Sequence, residues 1–424
     1  MNEFDSERIT FLLEENNYTP ALEKSEADVI ILNTCAVREK AKNKLYSKIG
    51  ELKKLKKENP DLIICVGGCT AQNLKEKIIK DFPYVDVVFG THNISRIVEL
   101  INKKRTTPNK NICEVYEAGF DYVLSNFKRT FSFKSYVPIS IGCNNYCSYC
   151  VVPFVRGKEI SISQDEIVKT LKELVSQGVL EITLVGQNVN SYGKDLERPI
   201  NFADLLYEVS EIEGLRRIRF ITSHPKDFSS DLLDVISERK NIMPHIHLPL
   251  QAGSNKILKA MNRKYTRDSF FELVENIRLK IKDVSITTDI IVGFPGEERE
   301  DFEDTLDAVE RIRFNRAFTF IYSKREGTKA SYLEDPIPLC EKKLWFRELV
   351  EVQNRVSFEE NKKKEGKKYE VLVEGHGSKG LLKGRLEDNS VVNFDGSKNL
   401  IGNFTDILIT SAKSFYLMGK IIDK

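Results

Sequence analysis

The first hundred residues alternate between two hydrophobic periods. Short apolar runs typical of buried strands occupy 29–32, 62–66 and 85–89. Segments with apolar residues at helical spacing lie at about 36–57, 70–80 and 93–102. This alternation predicts an α/β region with a Rossmann-like parallel sheet, followed by a connector over about 110–133.

The same alternation resumes at Tyr136 and continues for six rounds. The predicted strands are 137–141, 182–185, 218–222, 245–248, 285–291 and 317–322. The predicted helices between them are 163–177, 202–211, 228–238, 254–279 and 298–312. Six consecutive βα units predict a partial (βα)6 barrel, with its chemistry at the carboxyl ends of the strands. A long helix is predicted to follow at about 338–362.

The last part of the chain changes period again. Five short strands with glycine-bearing turns are predicted at 369–373, 381–386, 391–394, 406–409 and 415–418. This number of short strands suits a small OB-like β-barrel. The expected domains are therefore residues 1–112, a linker at 113–133, a core at 134–361 and a terminal domain at 362–424.

Composition fits a globular protein in a reducing compartment. Hydrophobic residues make up 41% and charged residues 30% of the 424 residues. The acidic start lacks the apolar core of a signal peptide, and no apolar run reaches membrane-spanning length. The eight cysteines are therefore expected to be metal ligands or core residues of a cytoplasmic protein, with no membrane partner.

Charge is distributed unevenly along the chain. The net charge is +2, yet residues 362–424 contain twelve Lys or Arg and eight Asp or Glu. A small basic terminal module can bind nucleic acid, although an ordinary solvated surface explains the charge equally well.

Three closely spaced cysteines carry the strongest chemical signal. Cys143, Cys147 and Cys150 form a C-x3-C-x2-C pattern within eight residues. Thiolates bind zinc, copper(I) or iron–sulfur clusters, and three of them leave one corner of a four-cornered site open. A zinc knuckle or a chance cluster of buried thiols is the alternative, but no fourth Cys or His follows at zinc-ribbon spacing. The pattern favours a 4Fe–4S cluster with one iron free to bind a small molecule.

The triplet resembles the cluster loop of radical S-adenosylmethionine (SAM) enzymes, and further segments extend the resemblance. These segments are 33–38 (NTCAVR), 67–72 (GGCTAQ), 186–193 (GQNVNSYG), 223–225 (SHP), 247–254 (HLPLQAGS) and 289–297 (DIIVGFPGE). In this order they resemble the methylthiotransferase family over essentially the whole chain. Within that family, 186–193 and 318–323 most resemble the branch that modifies N6-isopentenyladenosine in tRNA.

The resemblance implies a fold, two cofactors and partners. The domains would be a cluster-binding N-terminal domain, a radical SAM core and a tRNA-gripping TRAM domain. The triplet cluster would convert SAM into a deoxyadenosyl radical that attacks adenine C2 beside the anticodon, and a second 4Fe–4S cluster would supply the methylated sulfur. Such chemistry has to come from cofactors, since no side-chain base breaks an aromatic C–H bond. The implied partners are tRNA carrying N6-isopentenyladenosine and an electron donor such as flavodoxin or ferredoxin, acting on a monomer.

Several residues are candidates for contacts with SAM. Tyr149 precedes the last triplet cysteine, so it could pack on the adenine of SAM or be a core aromatic. Gln187 and Asn188 follow the second barrel strand, and Gln251 follows the fourth. All three could bind SAM or cap loops. His224 and His247 each stand near a strand end and a proline, which favours hydrogen-bonded structural roles over metal binding.

The N-terminal cluster has an incomplete ligand set in this sequence. Cys35 and Cys69 follow predicted strands and match the family pattern, but the family's first cluster cysteine would precede Met1. We therefore expect Met1 to be an internal methionine of a chain that is longer by about ten to fifteen residues, a strand and its turn. Cys65 lies inside an apolar run and is expected in the core. Cys113 and Cys340 match no ligand position.

Two other functions compete with this interpretation. One is a methylthiotransferase for threonylcarbamoyl-adenosine in tRNA or for a ribosomal protein, which the branch-specific segments disfavour. The other is a non-catalytic, metal-stabilised RNA-binding protein. It explains the basic terminal module but gives no purpose to the open-cornered triplet or the six βα units.

Overall fold

The N-terminal region folds as a four-stranded parallel sheet flanked by helices. The computed structural model describes residues 1–34, 39–116, 124, 127–198 and 200–422. The first elements are α1 (Asn2–Glu15), β1 (Val29–Thr34), α2 (Glu39–Glu58), β2 (Ile63–Gly68), α3 (Cys69–Leu74), α4 (Lys77–Asp81), β3 (Val87–Phe89), α5 (Ile97–Thr106) and β4 (Ile112–Glu114). The strands lie in the order β1-β2-β3-β4, and every pair is parallel. The predicted Rossmann-like sheet is confirmed.

Two local features of this region differ from the prediction. β4 lies where the sequence predicted the start of a connector, because three residues that include Glu114 are too short to show strand periodicity. The single helix predicted at 70–80 is interrupted at Lys75, whose φ of 50° ends α3. Cys65 is fully buried on β2, as predicted for a core residue.

The central region forms the predicted partial barrel. Its elements are β5 (Lys134–Pro138), β6 (Ser140–Ile141), α6 (Val152–Val155), β7 (Ile160–Ser161), α7 (Gln164–Ser176), β8 (Glu181–Val185), α8 (Phe202–Ser210), β9 (Arg217–Ile221), α9 (Ser230–Glu238), β10 (His245–His247), α10 (Asn255–Ala260), α11 (Arg267–Lys280), β11 (Ser285–Val292), α12 (Arg299–Ile312), β12 (Arg316–Ile321) and α13 (Leu339–Lys362). Parallel strands β5-β8-β9 form one sheet and β10-β11-β12 another.

Backbone hydrogen bonds join these two sheets edge to edge. The N–H of Met243 donates to the carbonyl of Ile218 at 2.9 Å, and the N–H of Ser223 donates to the carbonyl of His247 at 3.3 Å. The six strands therefore follow one another in chain order, and their carboxyl ends meet on one face.

The helix predicted at 254–279 is two helices with a break between them. Asn262 adopts a left-handed φ of 59°, and α11 begins only after Thr266 caps its N-terminus. The break turns residues 261–265 toward the cysteine loop, so a detail that the periodicity missed shapes the site.

The terminal region is a closed five-stranded barrel, as predicted. Its strands are β13 (Lys368–His376), β14 (Leu382–Arg385), β15 (Val391–Phe394), β16 (Phe404–Ala412) and β17 (Leu417–Ile421), in the order β13-β14-β15-β17-β16. Two buried arginines dock it on the central barrel. Arg217 donates to the carbonyls of Arg385 and Glu370 at 3.0 and 2.8 Å. Arg219 donates to the carbonyls of Glu387 and Leu386 at 2.7 and 2.8 Å.

No helix among the described residues combines the length and the apolar character that a membrane crossing requires.

Candidate metal centre

The cysteine triplet lies on the loop between β6 and α6. Cys143 is buried, whereas Cys147 and Cys150 are half-buried. Gly142 begins the loop with a φ of 77°, and a Cβ atom there would lie 2.0 Å from the carbonyl oxygen of Lys158. Only glycine fits such a close approach, so the backbone fixes where the first thiol points.

The break between α10 and α11 holds this loop in place. The N–H and hydroxyl of Ser148 donate to the carbonyls of Met261 and Ala260 at 3.0 and 2.8 Å. The Asn262 side chain donates to the carbonyl of Tyr146 at 2.9 Å. The loop is thus anchored across the barrel mouth.

The three thiols lie close enough to affect one another's ionisation. Burial, reinforced by the neighbouring Cys147, raises the pKa of Cys143 to about 11 and that of Cys150 to about 12. Metal binding at this loop must therefore release protons.

The donor set fits a cluster better than a single ion. Within the described ranges, no three His, Cys, Asp or Glu side chains converge closely enough to hold one metal ion. In a 4Fe–4S cluster each cysteine binds a different iron. The cysteine sulfurs therefore lie farther apart than the ligands of a single metal ion. Three neighbouring thiols on one anchored loop can supply one ligand to each of three irons.

A buried guanidinium faces this loop. Arg263, in the break after α10, donates to the Cys147 sulfur at 3.3 Å, to the Tyr265 hydroxyl at 2.9 Å and to the Pro249 carbonyl at 3.2 Å. Nothing in the sequence pattern marks Arg263, because its segment was predicted to be ordinary helix.

Uncharged polar atoms without partners surround the carboxyl ends of the strands. The side-chain oxygens of Gln187, Asn188 and Gln251 are buried, and none has a hydrogen-bond partner among the described residues. The same holds for the hydroxyls of Ser140 and Ser223. Because buried polar groups are normally paired, such a group of orphans indicates a missing polar ligand. SAM, with its amino, carboxylate and hydroxyl groups, fits these residues.

Two residues at this face have strained backbones. Thr222 and Gln251 adopt φ values of 74° and 72°, which β-branched and long side chains rarely accept. The backbone of Gln251 is nevertheless held on both sides. Its N–H donates to the backbone carbonyl of Asp289, and its carbonyl accepts from the N–H of Ile291. Strain held by surrounding structure is typical of functional sites.

The aromatic candidate Tyr149 packs within an apolar cluster. Its neighbours include Ala252, Met261 and Phe294, and the side chain is half-buried. Burial raises the pKa of its hydroxyl well above the usual value. The cluster gives it a core role, and a contact with the adenine of SAM stays a prediction.

The two histidines make structural hydrogen bonds. His224 accepts from the N–H of Lys226 at 3.2 Å. Burial, reinforced by Arg263, lowers the pKa of His224 to about 2. His247 shares hydrogen bonds with the hydroxyl of Thr287 at 3.0 Å and with Asp289 at 3.4 Å. These contacts agree with the structural roles that the sequence favoured.

Cys69, the described N-terminal candidate, lies against the central barrel. Its sulfur accepts a hydrogen bond from Arg156 at 3.1 Å, and Arg156 also pairs with the buried Asp5 at 2.5 Å. Cys69 packs with Val151 and Val155, which lie one and five residues after Cys150 in the chain. The two predicted cluster sites therefore adjoin.

The second N-terminal candidate, Cys35, lies outside the described residues. The residues before the two cysteines, Thr34 and Gly68, are register partners on adjacent parallel strands. Cys69 is the one thiol that the described residues place at this edge, and it does not by itself complete a cluster site.

A polar cavity of about 550 Å³ opens between the central barrel and the terminal domain. The central barrel lines it with Arg219, His247, Asp289 and Phe318 among others. From the terminal domain, Phe415 and Tyr416 line it with aromatic rings that are 57% and 38% exposed. A cavity of this size can hold a nucleoside.

Comparison with protein families assigns all three regions. Residues 1–90 match an uncharacterised family, UPF0004, residues 137–309 match the radical SAM superfamily, and residues 362–422 match the TRAM domain. The radical SAM methyltransferase TsrM from Kitasatospora setae has a similar structure, with a TM-score of 0.53 and 14% identity over 76% of this chain and 66% of that one. That likeness concerns the fold alone.

Similarity to curated proteins extends over the full chain. A tRNA-2-methylthio-N(6)-dimethylallyladenosine synthase from Carboxydothermus hydrogenoformans is 47% identical over 100% of this chain and 97% of its own length. The protein of the same name from Clostridium tetani is 48% identical over 99% of this chain and 94% of its own length. Identity of this extent, together with the triplet on its anchored loop, shows that the chain belongs to the tRNA-2-methylthio-N(6)-dimethylallyladenosine synthase family.

Proposed function

We propose that this protein adds a methylthio group to C2 of N6-isopentenyladenosine beside the anticodon of tRNA. The observation that carries the proposal is the cysteine loop beside a set of buried, unpartnered polar atoms at the carboxyl face of the barrel. A zinc-stabilised RNA-binding protein would have no use for those orphaned groups.

Cys143, Cys147 and Cys150 would hold one 4Fe–4S cluster, and Gln187, Asn188 and Gln251 would bind SAM. When bound, the cluster and SAM supply one-electron cleavage of a carbon–sulfur bond and the hydrogen abstraction that follows. The side chains of this protein would position the reactants. The orphaned oxygens would orient SAM, and the anchored loop would hold the three thiols in place. Cys35 and Cys69 are the ligands we propose for the second cluster.

The cavity beside the terminal domain supports tRNA as the substrate. Its volume suits one nucleoside, and the exposed rings of Phe415 and Tyr416 can stack on unpaired bases at its rim. We retain the division into residues 1–112, a linker at 113–133, 134–361 and 362–424 as part of the proposal. A flavodoxin or ferredoxin would supply electrons to a cytoplasmic monomer.

Anaerobic turnover tests the proposal. Protein reconstituted with iron and sulfide is mixed with SAM, dithionite and tRNA that carries N6-isopentenyladenosine, and the nucleosides are analysed by mass spectrometry. We expect a methylthiolated product from the intact protein. Cys143→Ala, Cys147→Ala and Cys150→Ala should each abolish 5′-deoxyadenosine formation with little loss of fold, because these thiols lie on a loop rather than in the main core.

Two results would contradict the proposal. One is 5′-deoxyadenosine formation by any of the three triplet variants. The other is modification of threonylcarbamoyl-adenosine in preference to N6-isopentenyladenosine, which would favour the neighbouring branch of the family.

A further inference from the structure

Arg263 is a buried positive charge that has no carboxylate partner among the residues that the structure describes. The residue is 8% exposed, and none of the ion pairs formed by the described residues includes it. Two other buried arginines differ in this respect: Arg156 pairs with Asp5, and Arg219 pairs with Glu181 at 3.0 Å. A guanidinium stays charged at any working pH, so an unpaired one in the interior is costly.

The contacts of Arg263 identify its counter-charge. Two of its three partners are neutral oxygens, of Tyr265 and Pro249, and the third is the Cys147 sulfur. Cys147 is one of the three proposed ligands, and a ligating cysteine is a thiolate. The negative charge that compensates Arg263 is therefore the Cys147 thiolate and the cluster that it carries.

The guanidinium is locked in this position. The N–H of Arg263 donates to the carbonyl of Leu258 at 2.8 Å, and the hydroxyl of Tyr265 bonds the carbonyls of Pro249 and Leu250 at 3.0 and 2.7 Å. The charge thus cannot swing away when the oxidation state of the site changes. A fixed charge beside a cluster acts most strongly where water is excluded.

We propose that Arg263 is a positioning residue that sets the reduction potential of the triplet cluster by compensating its negative charge. Reduction transfers one electron from a low-potential donor to the cluster, with no bond made or broken, and increases its negative charge by one. A fixed positive charge and an N–H···S hydrogen bond both favour that reduced state. The inference rests on the proposed cluster at Cys143, Cys147 and Cys150.

A redox titration without tRNA tests this role. The full chain carrying Cys69→Ala, which removes signal from the N-terminal site, is reconstituted with iron and sulfide. The reduced cluster is then quantified by electron paramagnetic resonance at set potentials, with dithionite as reductant. Arg263→Gln keeps hydrogen-bonding capacity but loses the charge, whereas Arg263→Lys keeps the charge. Tyr265→Phe removes one neutral hydrogen-bond partner of the guanidinium but leaves its charge and its contacts with Cys147 and Pro249, so this variant is the matched control.

We expect Arg263→Gln to lower the ratio of reduced to oxidised cluster at least tenfold at a fixed potential, which corresponds to about 59 mV for a one-electron couple. Arg263→Lys and Tyr265→Phe both keep the positive charge. Their ratios of reduced to oxidised cluster should therefore stay within about threefold of the ratio in the parent. If Arg263→Gln retains no iron, iron content is compared in Arg263→Met and Arg263→Lys. Loss of iron in the Gln and Met variants with retention in the Lys variant supports the charge compensation on which the proposal rests.

Three outcomes would overturn the inference. Equal midpoint potentials in the parent and in Arg263→Gln would show that the charge is not felt by the cluster. A Lys variant as impaired as the Gln variant, in potential or in iron content, would mean that shape matters and charge does not. An unchanged potential with weakened SAM binding would assign Arg263 to SAM instead. None of these readouts depends on tRNA modification, so they are separable from failure of the proposed function.

Discussion

At the scale of single residues, the site combines strained backbones with polar groups that find no partner among the described residues. Thr222 and Gln251 hold left-handed φ values directly after β9 and close after β10, where the barrel's carboxyl ends converge. The unpartnered oxygen of Gln251 lies at the same place. A strained backbone and an unpaired buried oxygen both cost free energy. They are expected together where a bound ligand supplies the missing hydrogen bond.

Two buried histidines make stability depend on pH. Burial lowers the pKa of His224 to about 2 and that of His245 to about 3. Both stay neutral in the folded protein, whereas the unfolded chain takes up protons below about pH 6.5. The free energy of unfolding is therefore unaffected by ionisation of these histidines above about pH 6.5. It decreases as the pH falls, by about 1.4 kcal/mol per histidine at pH 5.5.

Unfolding at pH 7.5 and 5.5 checks this prediction. The double variant His224→Asn/His245→Gln, which retains acceptor atoms at both positions, should lose less stability on acidification than the parent does. The exposed His376 offers a control, since His376→Asn should leave the pH dependence unchanged. An equal acid-induced loss in the parent and in the double variant would contradict the assignment.

At the scale of elements, the loop after β10 packs backbone against backbone on α12. A Cβ atom on Gly253 would lie 2.3 Å from the Asp304 carbonyl oxygen, and the Gly253 N–H donates to the Thr305 hydroxyl at 2.9 Å. Neither backbone can yield locally, so this contact fixes the loop that carries Gln251.

Gly253→Ala should therefore destabilise the protein by about 1–3 kcal/mol and weaken SAM binding. Gly50→Ala is the matched control, because Gly50 lies within α2 and a methyl group there would meet no atom within 4 Å. That variant should gain about 0.5–1 kcal/mol through lower backbone entropy in the unfolded state. Thermal unfolding and SAM titration measure both effects, and a Gly253→Ala protein with unaltered SAM affinity would disprove the link to Gln251.

At the scale of the whole molecule, the terminal barrel is both a docked domain and a basic surface. Arg217 and Arg219 bind its backbone carbonyls, and Lys134 pairs with the buried Glu374 at 2.9 Å. Of the lysines where α13 enters this domain, Lys364 is occupied by an ion pair with Asp388 at 3.0 Å. Lys367 and Lys368 are exposed. Fewer of these lysines are thus free to bind phosphate than their number in the sequence suggests.

Removing two exposed lysines should reduce the salt dependence of tRNA binding. Each lost phosphate contact lowers the slope of log affinity against log salt by about 0.7–0.9, so Lys367→Gln/Lys368→Gln should lower it by up to about 1.8. Lys240→Gln/Lys282→Gln, on the central barrel, changes the net charge equally and should not alter the slope. Measurement of tRNA affinity across a salt series tests this prediction. Equal slopes of log affinity against log salt in the two double variants would exclude Lys367 and Lys368 as phosphate contacts.

The sequence alone determined the three regions, the fold class of each and the cysteine triplet. Periodicity indicates which face of an element is buried, and the spacing of the cysteines is local. Both can therefore be recognised without a three-dimensional structure. β4 was missed because three residues carry too little periodicity, and the break at Asn262 was hidden by apolar residues at helical spacing on both sides.

Only the tertiary structure decided how these parts meet. Arg263 and Cys147 are 116 residues apart, and Arg156 and Cys69 are 87 apart, yet each pair forms a hydrogen bond. Neither pairing leaves a local trace. The first depends on how the break between α10 and α11 packs on the cysteine loop, and the second depends on how α3 packs against α6. Long-range packing is a property of the whole chain, whereas the sequence patterns used to predict it extend over a few turns or strands.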